Sequence, residues 1–426
     1  MGQGMSCVTS PVQRLSPYVQ SGDLDAVMFM VQKDPSFASP ITSHRHSPLH
    51  VAAANGRVEI MNYLLDRFPH PDAINRHKQT PLMLAAMHGR IECVKTLIAA
   101  GANILMFDSL DGRTCLHHAA YYGHSDCVQA ILAAAQSNHV AASWGYARFV
   151  NIRDSKGATP LHLAARQRRS ECLRILLHNG ALPSASTGGF GCRGSTPLHL
   201  AAKGGSLDCI RELLARGADR LHRDASGRIP HAVALKHGHA ACAALLNPAA
   251  SEPLIWPASL KVIMELNPET KSLLERALMK ANVEREKNIL ESLGLAYPAN
   301  AKAEDDVISE VNESDLCSIC FSEVCTIEAR ECGHKMCAQC ALALCCHTKP
   351  KSASALASPL ICPFCRTTIS LLVVSEVNNC EECHSNHVKM VENSSFGGMS
   401  GSFGIMGGLG SGRIDVQNDD EWVDKP

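Results

Sequence analysis

The sequence predicts a mainly α fold: a solenoid of about seven short helical repeats, then a helical linker, then a small finger built around zinc. Two observations carry this. A string of the form Thr-Pro-Leu-x-x-Ala-Ala-x-x-Gly returns at intervals near 33 residues, and eight Cys and His residues stand at metal-ligand spacing between Cys317 and Cys365. A third observation, that no run of 18 apolar residues occurs, argues against a membrane-spanning helix. The implied division is a terminal segment at 1–10, repeats at 11–248, a helical linker at 249–303, an acidic tether at 304–316, the finger at 317–374 and a Gly- and Ser-rich tail at 375–426.

The repeat copies open at Ser47, Thr80, Thr114, Thr159, Thr196 and Ile229, with separations of 33, 34, 45, 37 and 33 residues. A weaker copy, with Gly22 at the matching turn, precedes them. Ser or Thr caps the first helix of each copy, and Pro fits its first turn, where no N–H is needed. The paired Ala residues keep that helix thin, so neighbouring copies approach closely. Gly56, Gly89, Gly123, Gly205 and Gly238 turn the chain toward a second helix, whose apolar residues (VEIMNYLL, IECVKTLI, LDCIRELL) form the core. Period and pattern together are those of seven ankyrin repeats, with atypical first and last members as caps of an open stack. Arg168 stands where a turn glycine belongs, which predicts a strained or differently shaped turn.

His50, His117, His162 and His199 recur at the fourth position of their copies, which points to a backbone hydrogen bond between repeats and not to metal or base chemistry. Ankyrin stacks have no chemistry of their own and bind proteins through hairpin tips and a concave face. Variable positions on that face include Met87, His88, Tyr121 and Tyr122, and the adjacent tyrosines are the expected hot-spot pair for a protein substrate. Two insertions break the period: Gln136 to Phe149, with Trp144 and Tyr146, and Pro183 to Ser195, rich in Gly and Ser. Trp144 is a further expected substrate contact, because insertions in solenoids emerge on one side.

After Glu252 the repeat stops. Asn267 and Pro268 read as the cap and first turn of a helix that ends before Gly294. Its Leu274, Leu278, Ala281, Ile289 and Leu293 make an apolar stripe, interrupted by Arg285 and suited to packing on the last repeat. From Glu304 to Asp315 the chain is acidic and poor in apolar residues, the composition of a flexible tether that lets the finger reach a bound substrate.

In the finger the ligands run Cys317, Cys320, Cys332, His334, Cys337, Cys340, Cys362 and Cys365, three pairs being Cys-x2-Cys and one Cys-x-His. A two-residue gap lets a tight knuckle put both sulfurs on one tetrahedral ion. With 11 residues between Cys320 and Cys332 and 21 between Cys340 and Cys362, this is the ligand order of a RING finger holding two zinc ions. Eight protein ligands leave no open coordination position for a catalytic water, so zinc hydrolysis is disfavoured. Cys325, Cys345 and Cys346 read as packing thiols; Cys346 and His347 are neighbours on a helix and point about 100° apart, a poor arrangement for a nucleophile and its base. Ile369 to Val374 reads as a strand closing the finger, and Cys380 and Cys383 lack the second Cys pair of a third zinc site. The last stretch, Gly- and Ser-rich, reads as disordered.

The 20 Cys fit zinc ligands and reduced thiols better than disulfides, because Cys93, Cys115, Cys127, Cys172, Cys209 and Cys242 fall in helical segments of a repeat and not at framework spacings. A soluble body in a reducing, intracellular compartment is expected. A net charge of -1 with no strong basic block argues against nucleic acid as the main partner. The start MGQGMSC fits the N-myristoylation pattern, with Gly2 as the exposed terminus and Ser6 in the required place. One acyl chain binds a bilayer marginally, and Cys7 offers a thiol for a second. A lipid-anchored membrane pool is the expectation, and a plain cytoplasmic protein the alternative.

The strings MGQGMSC, NRHKQTPLMLAAMHG, ANILMFDS, RTCLHHAAYYGH, WGYARFVN, EPLIWP and CGHKMCAQCALALCCH span most of the chain from Met1 to about Val374. On these the chain resembles the plant ankyrin-repeat RING-finger ubiquitin-protein ligases, the group that includes binding partners of immune receptor kinases. The resemblance implies cross-bracing, with Cys317, Cys320, Cys337 and Cys340 on one zinc and Cys332, His334, Cys362 and Cys365 on the other. It implies a shallow groove for a ubiquitin-conjugating enzyme, formed by Ile319, Pro363 and, from the helix after Cys340, Leu342 or Leu344. Arg366 takes the role of the basic residue that bonds both the conjugating enzyme and ubiquitin, a task suited to its planar fork of donors. The implied function is that of a RING-type ubiquitin-protein ligase whose partners are a conjugating enzyme, ubiquitin and a protein substrate held by the repeats. A receptor kinase complex on the cytoplasmic side of the plasma membrane is the implied setting. A non-catalytic ankyrin scaffold of a membrane-proximal signalling complex is the alternative from a different class.

Overall fold

The computed structural model of the protein describes residues 11–35, 46–137, 145–188, 193–256, 267–296, 316–347 and 360–375. Seven helix pairs stack in sequence order: α1 (Pro11–Ser21) with α2 (Leu24–Lys33), α3 (Pro48–Asn55) with α4 (Val58–Arg67), and α5 (Pro81–Met87) with α6 (Ile91–Ala99). Then come α7 (Cys115–Tyr122) with α8 (Ser125–Ser137) and, after a short α9 (Tyr146–Val150), α10 (Pro160–Arg166) with α11 (Ser170–His178). The stack closes with α12 (Pro197–Gly204) and α13 (Leu207–Ala215), then α14 (Pro230–Lys236) and α15 (Ala240–Leu246).

The repeat letters act as their chemistry requires. The Thr80 hydroxyl accepts the Met83 N–H at 3.2 Å, which satisfies one orphan donor of α5. The motif histidines pin one repeat to the next: Nε2–H donates to the carbonyl just before the following copy, from His50 to Gln79 (3.0 Å), His117 to Ala158 (3.2 Å), His162 to Ser195 (3.2 Å) and His199 to Arg228 (2.9 Å). Because a carbonyl only accepts, the proton sits on Nε2. Nδ1 is left to accept from the capping Ser47, Thr114, Thr159 or Thr196. The copy from Thr80 has Met83 at this place and makes no such link.

Arg168 does not reshape its turn. It adopts the left-handed conformation itself, φ 58°, and the Arg169 N–H still reaches the Ala164 carbonyl at 2.9 Å, as the Arg90 N–H reaches Ala85 two repeats earlier. Sterics therefore cost this turn about 1 kcal/mol that a glycine would not incur.

The linker helix α16 (Pro268–Ser292) starts at Asn267, whose side chain accepts the Glu269 N–H. The apolar stripe expected for it is only half right. Leu274 and Leu278 are buried, but Leu293 is exposed, and the buried face continues through Asn282, Glu286 and Leu290. Polar partners set this face. Asn282 bonds both the N–H and the carbonyl of Leu254, Glu286 pairs with Arg211 of α13, and Glu275 pairs with Arg216. The strap before the helix is held in turn, the Trp256 N–H donating to Ala215 at 2.8 Å with the Arg216 guanidinium over its indole.

In the finger, β1 (Ile327–Ala329) pairs antiparallel with β2 (His334–Met336) and with β5 (Leu372–Val374), and β3 (Leu360–Ile361) pairs with β4 (Thr368–Ile369). The expected closing strand is thus two short strands. One helix, α17 (Ala338–His347), lies against α16. A single apolar cluster joins Leu274, Ala277 and Leu278 of α16 to Met336, Ala341, Leu342 and Cys345 of the finger, and Lys280 pairs with Glu323 at 2.8 Å. The acidic tether lies outside the described residues, yet the finger it leads to is seated on the linker helix and not held at a distance.

Candidate metal centres and the surface around them

Four knuckles bring the eight ligands into two groups. Cys317, Cys320, Cys337 and Cys340 converge in one and Cys332, His334, Cys362 and Cys365 in the other, the ligand atoms of each lying within 4.8 Å of one another. Tetrahedral thiolates at about 2.3 Å from zinc stand about 3.8 Å apart, and Cys320 Sγ lies 3.7 Å from Cys337 Sγ. His334 Nδ1 is buried with no hydrogen-bond partner, as fits a nitrogen reserved for a metal. Cys320 and Cys337 stand 17 residues apart in sequence, and the antiparallel hairpin of β1 and β2 lies between them and returns the chain. Each group has a full set of four soft donors, the composition of a closed structural zinc site.

The first and last knuckles share one geometry. The residue after the second Cys, Phe321 in one and Arg366 in the other, is left-handed at φ 57° and 62°, and its N–H donates to the first Cys carbonyl at 2.8 and 3.0 Å. The Thr367 hydroxyl lies 3.2 Å from Cys365 Sγ, and hydrogen bonds from Thr367 hold that thiol down to about 6. Ser322 does the same for Cys320.

Around these knuckles the surface is apolar. Ile319 is 42% exposed and Pro363 and Arg366 are exposed, with no hydrogen bond or ion pair to the Arg366 guanidinium among the described residues. Leu342 is a correction: at 2% exposure it belongs to the cluster facing α16 and forms no groove wall. Leu344 is half-buried and is the residue of that pair with a surface to offer. Exposed Phe321 and Phe364 were not singled out from the sequence, though each directly adjoins a zinc ligand; Phe364 stacks on His334 with centroids 5.1 Å apart. Cys345 is buried and pushed up to about 12, which leaves it a packing thiol with no nucleophilic part.

Residues 316–371 match the family described as the E3 ubiquitin-protein ligase XB3/XBAT31 RING finger, and 16–108, 105–187 and 184–253 match ankyrin repeats. XBAT31 of Arabidopsis thaliana is 56% identical over 456 aligned positions, which take in 100% of both chains. The E3 ubiquitin-protein ligase XB3 of Oryza sativa subsp. japonica is 54% identical over 100% of this chain and 99% of its own. The chain belongs to the ankyrin-repeat RING-finger E3 ubiquitin-protein ligases. The ligase is accordingly a RING-type ubiquitin transferase, with two Cys/His sets for two zinc ions. The E3 ubiquitin-protein ligase XBAT33 of Arabidopsis thaliana is 32% identical over 87% of the chain.

On the repeats of the ligase, the expected substrate residues divide. Tyr122 is 41% exposed and His88 is exposed, while Met87 and Tyr121 are half-buried. Tyr121 is covered by the Arg113 guanidinium, 5.0 Å from its ring centroid, and meets Tyr122 edge-on. Tyr122 thus presents the free face of the pair. Trp144, Gly2, Cys7, Cys380 and Cys383 lie outside the described residues.

Proposed function

We propose that the ligase captures a protein client on the inner face of its repeats and docks a ubiquitin-conjugating enzyme on Ile319, Leu344 and Pro363. Arg366 bonds both the conjugating enzyme and ubiquitin, so that the thioester is ordered for attack by a client lysine. The zinc ions hold the knuckles in shape, and the protein contributes proximity and orientation. One observation carries the reading. Cys346 Sγ lies 3.9 Å from the Ile255 carbonyl, so the strap and α16 take that side of α17. Leu344, two residues earlier, points about 200° away around the helix and is only partly buried against the same cluster. The finger is therefore held by its back, and the Ile319 side is left for an enzyme.

The test is discharge of a ubiquitin-charged conjugating enzyme onto free lysine by the purified protein. Ile319→Ala and Arg366→Ala should each abolish discharge with two zinc ions still bound, whereas Cys317→Ala should lose zinc and discharge together. Full discharge by Ile319→Ala would place the enzyme elsewhere.

We further propose that Gly2 carries a myristoyl chain and Cys7 a second acyl chain, placing the ligase on the cytoplasmic side of the plasma membrane, where a receptor kinase complex is a fitting client. Gly2→Ala should render the protein soluble, and Cys7→Ser should give a mixed pool, since one chain binds reversibly. Membrane residence that survives Gly2→Ala in cell fractionation would remove the lipid anchor from this account.

A further inference from the structure

Two register positions of the repeat change character at the same place in the stack. In the window from capping residue to turn, the copies beginning at Ser47, Thr80 and Thr114 carry no charged residue. The copies beginning at Thr159, Thr196 and Ile229 carry Arg166, Arg168, Lys203 and Lys236 and no acid. Arg166, Lys203 and Lys236 occupy one position, the seventh after the cap, in three successive repeats. The second register is the residue before the tip turn. It is Ile74 and Phe107 in the early repeats, each exposed, and Arg153, Ser186 and Arg223 in the later ones. Both arginines are exposed and donate to backbone carbonyls, Gly157 and Ser186 from Arg153 and Gly227 from Arg223, with no ion pair to a carboxylate among the described residues. Lys203 and Lys236 are exposed and have no acidic partner among the described residues. Of the acids of these repeats, Glu171 and Asp208 lie on the outer helices, paired with Arg174 and Arg211, while Asp154 and Asp224 are buried in the tip turns, accepting the N–H groups of Ala158 and Arg228.

We infer that the inner surface takes an extended, Asp/Glu-rich peptide segment of a client with an apolar side chain at one end. The apolar end rests by Tyr122 and Phe107 and the acidic end by Lys203 and Lys236, the end of the stack on which the finger is seated. This rests on the reading of the repeats as the client-binding part. Spacing favours a row of carboxylates over one phosphate. Neighbouring packed helices stand about 8–10 Å apart, and an extended chain rises about 3.3 Å per residue, so one cation meets roughly every third residue. A single phosphate is held by clustered, bidentate arginines, and here the cations are strung out one per repeat. Low-dielectric focusing by a concave surface of one sign also speeds capture of an oppositely charged chain.

The test uses the full-length, zinc-loaded protein and a fluorescein-labelled peptide of about a dozen residues, with Phe-Leu at one end and Asp at every third position. Fluorescence anisotropy should show saturable binding that weakens with added salt. The pair Lys203→Glu with Lys236→Glu should weaken it at least about tenfold, and Lys203→Met with Lys236→Met, which keep the aliphatic stems, should weaken it less. Arg174→Glu, on the outer face of the same repeats, should leave it unchanged. Equal binding by the glutamate pair, or by a peptide with Asn for Asp, would overturn the inference. So would tighter binding of a peptide with one phosphoserine in place of the Asp series, or of oligouridylate RNA, which would mean a phosphate site or a generic polyanion surface. Ubiquitin discharge without peptide binding would sink this surface and spare the proposed mechanism; peptide binding without discharge would do the reverse.

Discussion

Arg211 on α13 and Glu286 on α16, 75 residues apart in sequence, form an ion pair at 2.7 Å with Glu286 only 1% exposed. Burial raises the Glu286 carboxyl, and the guanidinium opposes that rise. The pair joins the sixth repeat to the linker helix, and the linker helix carries the finger.

Removing one partner leaves an uncompensated buried charge. Arg211→Met alone should therefore destabilise the repeat-linker joint by about 3–5 kcal/mol. Arg211→Met combined with Glu286→Leu should recover most of that loss, because two apolar groups of similar volume need no partner. Thermal unfolding of the two variants against the parent decides it, and a double variant no more stable than the single would show that the pair is not the fastening.

Leu278→Asp places a carboxylate in the cluster shared by α16 and the finger. The finger should come off the helix with its zinc retained. Faster amide exchange in Ala338–His347, with unchanged zinc content and unchanged discharge onto free lysine, is the expected result. Exchange at the parent rate would mean that the contact contributes little to holding the finger.

Acid should open the repeats. Burial lowers His50 and His162 to about 4 and His117 to about 3, against an unfolded value near 6.5, and lowers His199 as well. Between those limits the unfolded chain binds more protons. The neutral histidines therefore contribute stability that is fully present above about pH 6.5 and is lost as pH falls toward 3, at up to about 1.4 kcal/mol per pH unit for each. Asp108 extends the trend downward. Burial would raise it, but hydrogen bonds from His118 and the backbone hold it at about 2. Chemical denaturation at pH 7.5, 6 and 5 should show the fall, and a flat profile would contradict the neutral, buried assignment.

Arg168→Gly and Arg168→Ala separate strain from side-chain packing. Both remove the guanidinium, and only glycine relieves the left-handed backbone. Arg168→Gly should be the more stable of the two by about 1 kcal/mol, read from denaturation midpoints.

The repeat period and the zinc ligands were legible because each is set by neighbours within a few residues: a cap, a proline, a two-residue knuckle. What escaped was decided at long range. Leu342 and Leu344 are indistinguishable as letters, and the apolar cluster that joins the finger to Leu274 and Leu278 buries the first and leaves the second half-buried. The buried face of α16 is chosen by Arg211 and the Leu254 backbone, so a hydrophobic stripe mispredicts it from Ala281 onward. Arg168 kept the turn that glycine makes because the surrounding repeat hydrogen bonds outweigh a strain of about 1 kcal/mol.

A finger on a leash sweeps a volume, and any lysine within it is eligible. A finger bracketed to α16, itself bracketed to the sixth repeat by Arg211 and Arg216, would draw an arc of fixed radius about a client captured as proposed. Lysines are then sorted by where they come to rest. A client lying head to tail along the stack and one lying tail to head would be marked at different residues, so the direction of capture is written into the product.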